Sequence, residues 1–377
     1  MEMAKYKLGD IVTLLNGRAY LMPELQDSGK YRILRVGNLS GGNDSWYYSD
    51  MELDENKYCE NGDLLYAWAC NFGPHIWREE KVIYHYHIWK LVENKEKVDR
   101  TYLYYYLLHQ TPFYLGGVNG ATMVHITKKN MEKKTVYIPS SLNVQHRIAS
   151  ILSTYDTLIE NNTKRIRLLE KMAENLYKEW FVRFRFPGHE NVEMENGLPK
   201  GWKVKKYEDE FNVKYGKGLP TDKLTKDGFP VFGSNGQIGY YTSYMYETPQ
   251  ILISCRGASS GVVNISLPKS FITNNSLICE MTNETESVFE YLKYCFLNTN
   301  LVQYQTGSAQ PQITINNIVK LKLLIPSTDV QIKFADKVRT LDKEVGNLQH
   351  QNSLLARQRD LLLPRLMSGK LEVKVKE

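Results

Sequence analysis

Two stretches of the chain carry residues in alternating steps of four and three, the spacing that keeps one face of an α-helix turned toward a single partner. In the first stretch the stripe is Ile148, Leu152, Tyr155, Ile159, Asn162, Ile166, Leu169, Ala173, Leu176 and Trp180. In the second it is Phe334, Val338, Leu341, Val345, Leu348, Asn352, Leu355, Arg359, Leu362 and Leu366. A stripe this narrow fits the seam of a coiled coil better than the wider band of a helix lying on a core. The pattern predicts helices over 143–183 and 330–368. At about 1.5 Å per residue, each spans on the order of 60 Å. Outside them the apolar runs are short and end in glycine-rich turns, which predicts mixed α/β modules over 1–142 and 201–329, with a linker over 184–200 between the first helix and the second module.

The chain also repeats itself. GATMVHITKKNM (120–131) aligns with GSAQPQITINNI (307–318), placing Ile126, Thr127 and Asn130 over Ile313, Thr314 and Asn317. After one lost residue, Gln145, Ala149, Asp156 and Asn161 fall over Gln331, Ala335, Asp342 and Asn347. Upstream, YLYYYLLHQ (102–110) matches YLKYCFLNT (291–299), and GDLLYAWACNFG faces PQILISCRGASSG. Each half is therefore a variable module followed by a better-kept helix.

Two like halves meet most simply about a pseudo-twofold axis, which makes the helices antiparallel. The expected fold class is α+β: two mixed α/β domains separated by two long helices that form an antiparallel coiled coil. Asn162 and Asn352 then meet, or nearly meet, at its centre and set the register. A stiff pair of rods suits two recognition modules held over two short sequences of one duplex, whose turn is about 34–36 Å.

Composition narrows the chemistry. With 377 residues the chain is long enough for two or three domains. A net charge of +6 tilts only mildly toward an anionic partner, and the 26 tyrosines and 6 tryptophans suit nucleic acid and protein contacts alike. Cys59, Cys70, Cys255, Cys279 and Cys295 form no CxxC pair and read as reduced thiols. The start of the sequence lacks a signal-peptide core and no apolar run approaches bilayer length, so a cytoplasmic location without a membrane is expected. No Pro-Pro dipeptide of an amino-methyltransferase motif occurs, and no phosphate-binding P-loop. His85 and His87, read as one face of a strand, are the best metal candidate; with His75 and His125 in the same half but no acidic or cysteine partner at ligand spacing, packing or a local hydrogen bond is the expected use.

Two variable domains, each followed by a helix that opens alike, IPSSLNVQHRIASIL (138–152) and IPSTDVQIKFADKV (325–338), together with a chain end RDLLLPRLMSGKLEV (359–373), closely resemble the specificity subunit of Type I restriction-modification systems. YAWACNFGPHIW and EKVIYHYHIWKL (66–91) resemble one class of target recognition domain in that family. The resemblance implies that 1–142 and 201–329 are target recognition domains, each reading one half of a split, asymmetric double-stranded DNA sequence. It implies that the spacer helices (143–183, and 330–368 with the tail) set the gap and dock two modification subunits. S-adenosylmethionine chemistry would belong to those subunits, and ATP- and Mg-dependent translocation and cleavage to restriction subunits. This chain would be non-catalytic, with no cofactor or metal of its own. A coiled-coil protein scaffold that reads no sequence is the alternative.

Base reading needs side chains that place donors and acceptors on base edges. The first-domain candidates are Asn71, His75, Trp77 and Arg78, where the run LLYAWAC is expected to break into a loop. In the second domain ILISC breaks at the equivalent place, offering Arg256 and Ser259. GSNGQIGYY adds Asn235 and Gln237, with VGNLSGGND as counterpart, and GSAQPQIT adds Gln310 and Gln312. Arg256 stands first, because arginine on guanine is the commonest specific contact. Lys128, Lys129, Lys133, Lys134, Lys203, Lys205 and Lys206 suit phosphates or a solvated face.

Overall fold

A computed structural model describes residues 2–39, 45–115, 126–282, 285, 287–307 and 310–374. Contacts divide the chain into two compact units: unit 1 comprises 1–162 and 350–377, unit 2 comprises 163–349. The two long helices, Leu142–Tyr177 and Thr328–Met367, therefore each contribute a part to each unit.

In unit 1, β1 (Met3–Lys7) pairs antiparallel with β10 (Thr135–Pro139), so the module's entering and leaving strands lie side by side. Between them come β2 (Val12–Asn16), β3 (Tyr31–Leu34), β4 (Tyr47–Ser49), β5 (Tyr58–Cys59), β6 (Leu64–Ala67), β7 (Gly73–Ile76), β8 (Val82–Tyr84), β9 (Ile88–Glu93) and α1 (Arg100–Leu115). One sheet runs β2-β9-β6-β7 and a second β4-β3-β8-β5. All four residues of β6 are buried, because its two faces serve two cores. Leu64 and Tyr66 pack with Trp89, Leu91, Tyr102 and Leu103, whereas Leu65 and Ala67 pack with Leu34, Val82 and Tyr84. A strand buried on both sides shows no polar alternation, which is why LLYA reads as a continuous apolar run.

Unit 2 repeats this plan. β11 (Lys203–Lys206) pairs antiparallel with β19 (Lys322–Ile325). Between them lie β12 (Phe211–Tyr215), β13 (Phe229–Gly233), β14 (Gly236–Tyr241), β15 (Ile251–Ser254), β16 (Val263–Ile265), β17 (Phe271–Ile272), β18 (Ser276–Met281) and α3 (Phe289–Leu297). The sheets run β12-β18-β15-β16 and β14-β13-β17. They match the sheets of unit 1 strand for strand, except that no described strand stands for β5. β15 again serves two cores, with Ile251 and Ile253 on one face and Leu252 on the other.

The helices run over α2 (Leu142–Tyr177), closed by a wider π-helical turn at Lys178–Val182, and α4 (Thr328–Met367). None of the twenty stripe positions is exposed. In unit 1, Ile148 and Leu152 share a core with Leu363 and Leu366, Asp156 is ion-paired with Arg359, and Asn162 Nδ2 lies 3.5 Å from Gln351 Oε1, beside Asn352. Partner numbers thus fall as the residue number rises. In unit 2, Arg165 meets Glu344 at 3.0 Å, and the Trp180 ring lies 5.9 Å from Phe334.

The repeated residues tie each helix to its own module. Gln145 is fully buried; its Oε1 accepts the Asp99 N–H at 2.8 Å, and its Nε2 donates to the carbonyls of Pro139 at 2.8 Å and Lys97 at 3.0 Å. Gln331, also fully buried, accepts the Val288 N–H and donates to the Pro326 carbonyl, both at 2.8 Å. Tyr105 donates to Asp156, and Tyr294 donates to Asp342 at 2.7 Å. Among the described residues no helix is long and apolar enough to cross a membrane.

Candidate nucleic-acid interface

Three loops converge at one end of the unit 2 sheets. The first, 233–237, turns β13 into β14. It is held by Ser276 Oγ donating to the Gly233 carbonyl at 3.1 Å, and by Ser254 Oγ and Asn264 Nδ2 donating to the Ser234 carbonyl, the latter at 3.4 Å. The second, 255–262, follows β15. Its backbone joins the third, 306–313: Arg256 forms an antiparallel bridge with Gln312, the Gly257 N–H donates to the Pro311 carbonyl at 3.1 Å, and the Ile313 N–H to the Cys255 carbonyl at 3.1 Å. Gln305 Nε2 closes the arrangement on the Ser260 carbonyl at 2.5 Å. Asn235, Gln237, Arg256, Gln310 and Gln312 are exposed there and Ser259 is half-buried. The structure thus gathers all six second-domain candidates into one patch.

The equivalent loop of unit 1 follows β6. Its backbone matches closely enough that Cys70 takes a left-handed φ of 61° where unit 2 has Gly257 at 75°. Asn71 is exposed at its tip. The other first-domain candidates stand elsewhere. GPHI is a strand, not a loop: β7 is the edge of its sheet, where a proline costs no ladder bond, and His75 pairs with Leu65. Burial lowers the His75 pKa below the usual histidine range. Trp77 is 6% exposed, and its indole N–H donates to the Glu80 carbonyl at 2.8 Å. A base cannot reach that ring without unpacking the core. Arg78 is exposed, with its guanidinium 3.7 Å from Glu160 on α2.

His85 and His87 do not share a strand face. They flank Tyr86 in the turn by which the chain leaves one sheet at β8 and enters the other at β9, with imidazole centroids 4.8 Å apart. Burial, then His87 and Arg35, push the His85 pKa down to about 4. Among the described residues no three His, Cys, Asp or Glu side chains gather as a metal site. His125 lies outside the described residues, as do 116–124, 40–44 of the loop opposite 233–237, and 308–309.

The reading of the sequence missed an aromatic platform at this tip. Trp68 stacks on Trp89 at 5.7 Å, meets the His87 ring edge-on at 5.0 Å and donates its indole N–H to the Tyr86 carbonyl at 2.8 Å, while Tyr86 is 39% exposed. The shift that aligns β6 with β15 puts Trp68 over Cys255, the anchor of the unit 2 loop, and that correspondence was the available signal. Several candidate phosphate lysines are engaged within the fold: Lys205 with Glu210 at 2.7 Å, Lys206 with Glu208 at 3.0 Å, and Lys128 with Glu132 at 3.8 Å.

Comparison with known proteins agrees with this layout. The family model for the Type I restriction modification DNA specificity domain matches residues 1–171 and 199–356. The Type I restriction enzyme MjaIX specificity subunit of Methanocaldococcus jannaschii is 29% identical over 309 residues, covering 74% of this chain and 71% of that one. The MjaVIII specificity subunit of the same organism is 22% identical and covers 98% of this chain and 92% of its own. Among solved structures, the S subunit of a Type I restriction-modification system from M. genitalium has the same fold, with a TM-score of 0.59 at 19% identity over 97% of this chain and 96% of that one. The match to both halves by one family description, on a chain whose two modules carry matching sheets and the same strand-end loop at Cys70 and Gly257, places it: this chain belongs to the Type I restriction-modification DNA specificity family.

Proposed function

We propose that this chain is the DNA-reading subunit of a Type I modification and restriction assembly. Each module reads one half of a split, asymmetric target, unit 2 through Asn235, Gln237, Arg256, Ser259, Gln310 and Gln312, unit 1 through the loop carrying Asn71 and the aromatic platform beside it. The helices pair as an antiparallel coiled coil, related by a pseudo-twofold axis, that fixes the gap and docks two modification subunits. Those subunits bring S-adenosylmethionine and methylate adenine; restriction subunits add ATP- and Mg-dependent cleavage. The chain itself supplies selection, not catalysis.

One observation carries this reading: the same strand-end loop, with the same left-handed residue at Cys70 and Gly257, recurs at the tip of two modules whose helices are tied back by equivalent glutamines. The side chains on the two loops differ while the scaffold is kept, as a reader of two unlike sequences requires. Supporting the coiled coil are the buried stripes and the falling partner numbers within unit 1. The test is single-molecule methylation mapping in cells carrying this chain with its modification subunit, alongside duplex binding across salt. The reading expects one bipartite methylated motif and a cognate preference that survives as salt weakens non-specific binding. Equal affinity for random and cognate duplex would support a protein-only scaffold instead, and methyl transfer by the purified chain alone would contradict the assignment of catalysis to its partners.

A further inference from the structure

The mixed modules carry six arginines, and five have work inside the fold. Arg18 holds Glu24 at 2.6 Å, Arg32 holds Glu79 at 2.7 Å, Arg78 faces Glu160 at 3.7 Å and Arg100 holds Glu93 at 3.0 Å. Arg35 donates to the Ser45 carbonyl at 3.3 Å and lies 4.4 Å over the Tyr47 ring. Arg256 is the sixth. Among the described residues its guanidinium has no hydrogen-bond or ion-pair partner, and it is exposed.

Its backbone is fixed on both sides, by the bridge to Gln312, by the bonds from Gly257 and Ile313, and by the Cys255 N–H donating to the Asn275 carbonyl at 2.9 Å. A long side chain on so rigid a base loses less freedom on binding than one on a free loop. Its company decides what it binds. The loops 233–237, 255–262 and 306–313 contain no lysine, and apart from Arg256 and Cys255 the polar residues in them are neutral amides and hydroxyls. A phosphate cradle gathers cations; one planar fork among neutral amides is the make-up of a reader of base edges. Unit 1 offers no equivalent, because the matching loop puts Ala69, 9% exposed, where unit 2 has Arg256.

Resting on the DNA-reading function above, we propose that Arg256 contacts O6 and N7 of a guanine in the half-site taken by unit 2, and that the half-site taken by unit 1 is read without an arginine from the equivalent loop. The two halves of the target would then be recognised by different chemistry on one scaffold.

The experiment has two arms. Methylation motifs are mapped for the wild-type chain and for Arg256→Ala and Arg256→Lys, each with the modification subunit. Wild-type binding is then measured on duplexes in which each guanine of the mapped motif is replaced in turn by 7-deazaguanine. The proposal expects Arg256→Ala to relax a single guanine in one half-site and leave the other half intact. It expects 7-deazaguanine at that position alone to weaken wild-type binding about two- to tenfold, because O6 still accepts and only the N7 half of the bidentate contact is lost. Should Arg256→Ala abolish methylation altogether, the 7-deazaguanine arm on the unaltered chain decides. An unchanged motif in Arg256→Ala, a uniform loss of affinity across sequences, or indifference to every 7-deazaguanine overturns the arginine assignment while DNA reading stands. A wild-type chain that directs no motif overturns the reading itself.

Discussion

Arg359 on α4 is ion-paired with Asp156 on α2, and the same carboxylate accepts the Tyr105 hydroxyl. The second half does this differently: Asp342 accepts Tyr294 at 2.7 Å but takes its cation, at 2.7 Å, from Lys293 of its own module, and the position equivalent to Arg359 is the buried Ala173. Only in unit 1 does the cation on this carboxylate come from the other helix. Burial disfavours the charged guanidinium, and the carboxylates of Asp156 and Asp360 outweigh it, so its pKa is raised.

Removing that cation leaves a half-buried carboxylate with a single hydroxyl donor. Arg359→Met is expected to cost about 1–3 kcal/mol, and adding Asp156→Asn to recover a large part of it, since the second change removes the stranded charge. Urea titration of the single and double variants measures this coupling. Strictly additive losses would mean that the pair contributes nothing.

Gln145 and Gln331 each satisfy backbone groups that water cannot reach. Replacing either by leucine keeps the volume and orphans an N–H and at least one carbonyl, at an expected cost of about 2–4 kcal/mol. Hydrogen exchange should place the loss in unit 1 for Gln145→Leu and in unit 2 for Gln331→Leu. Loss spread evenly over both units in either variant would contradict a local tie.

Gly17 and Gly216 are equivalent points of close backbone approach. A Cβ on Gly17 would stand 2.4 Å from the carbonyl oxygens of Tyr84 and His85, and one on Gly216 would stand 2.3 Å from that of Thr273. Backbone cannot rotate away as a side chain can, so Gly17→Ala and Gly216→Ala are expected to cost about 1–3 kcal/mol and to displace the adjoining segments. Each should impair recognition of one half-site only, as scored on duplexes with one half scrambled at a time.

His85 gives unit 1 an acid limit. Its folded pKa is depressed, so between about 4 and the ordinary histidine value near 6.5 the unfolded chain binds the proton more readily. The stability this contributes is present above about 6.5 and is lost as pH falls toward 4. The loss is on the order of 1–2 kcal/mol, after discount for partial exposure. His85→Gln should flatten the fall between pH 7 and 5, followed by Trp68 and Trp89 fluorescence during denaturation. An unaltered slope would remove His85 as its source.

The long helices and the repeat were legible because each rests on many residues with one period or one offset. Ile126, Thr127 and Asn130 matched Ile313, Thr314 and Asn317 because both sets start a helical turn. Thr127 caps one, accepting the Asn130 N–H at 3.3 Å, and Asn317 caps the other, accepting the Thr314 N–H at 2.8 Å. The strand at 73–76 was not legible, since Gly-Pro signals a turn unless the strand is known to be an edge. Nor was the turn at His85–His87: VIYHYHIWKL alternates as one strand does, and periodicity cannot tell that β8 and β9 belong to different sheets. The partners of Asp156 and Asp342 were equally hidden, because alignment pairs like with like and says nothing of which cation each carboxylate finds.

The pairing of β1 with β10, and of β11 with β19, makes a clasp at the foot of each module, with the helix tied to it by a buried glutamine. The loops whose side chains differ between the halves are strung between the two jaws of that clasp. A foreign insert whose ends arrive as the same two strands, and which keeps the tyrosine that meets Asp156 or Asp342 and the apolar face against the helix, could be transplanted there with the rods undisturbed. Selectivity would then be acquired a whole half-word at a time rather than letter by letter.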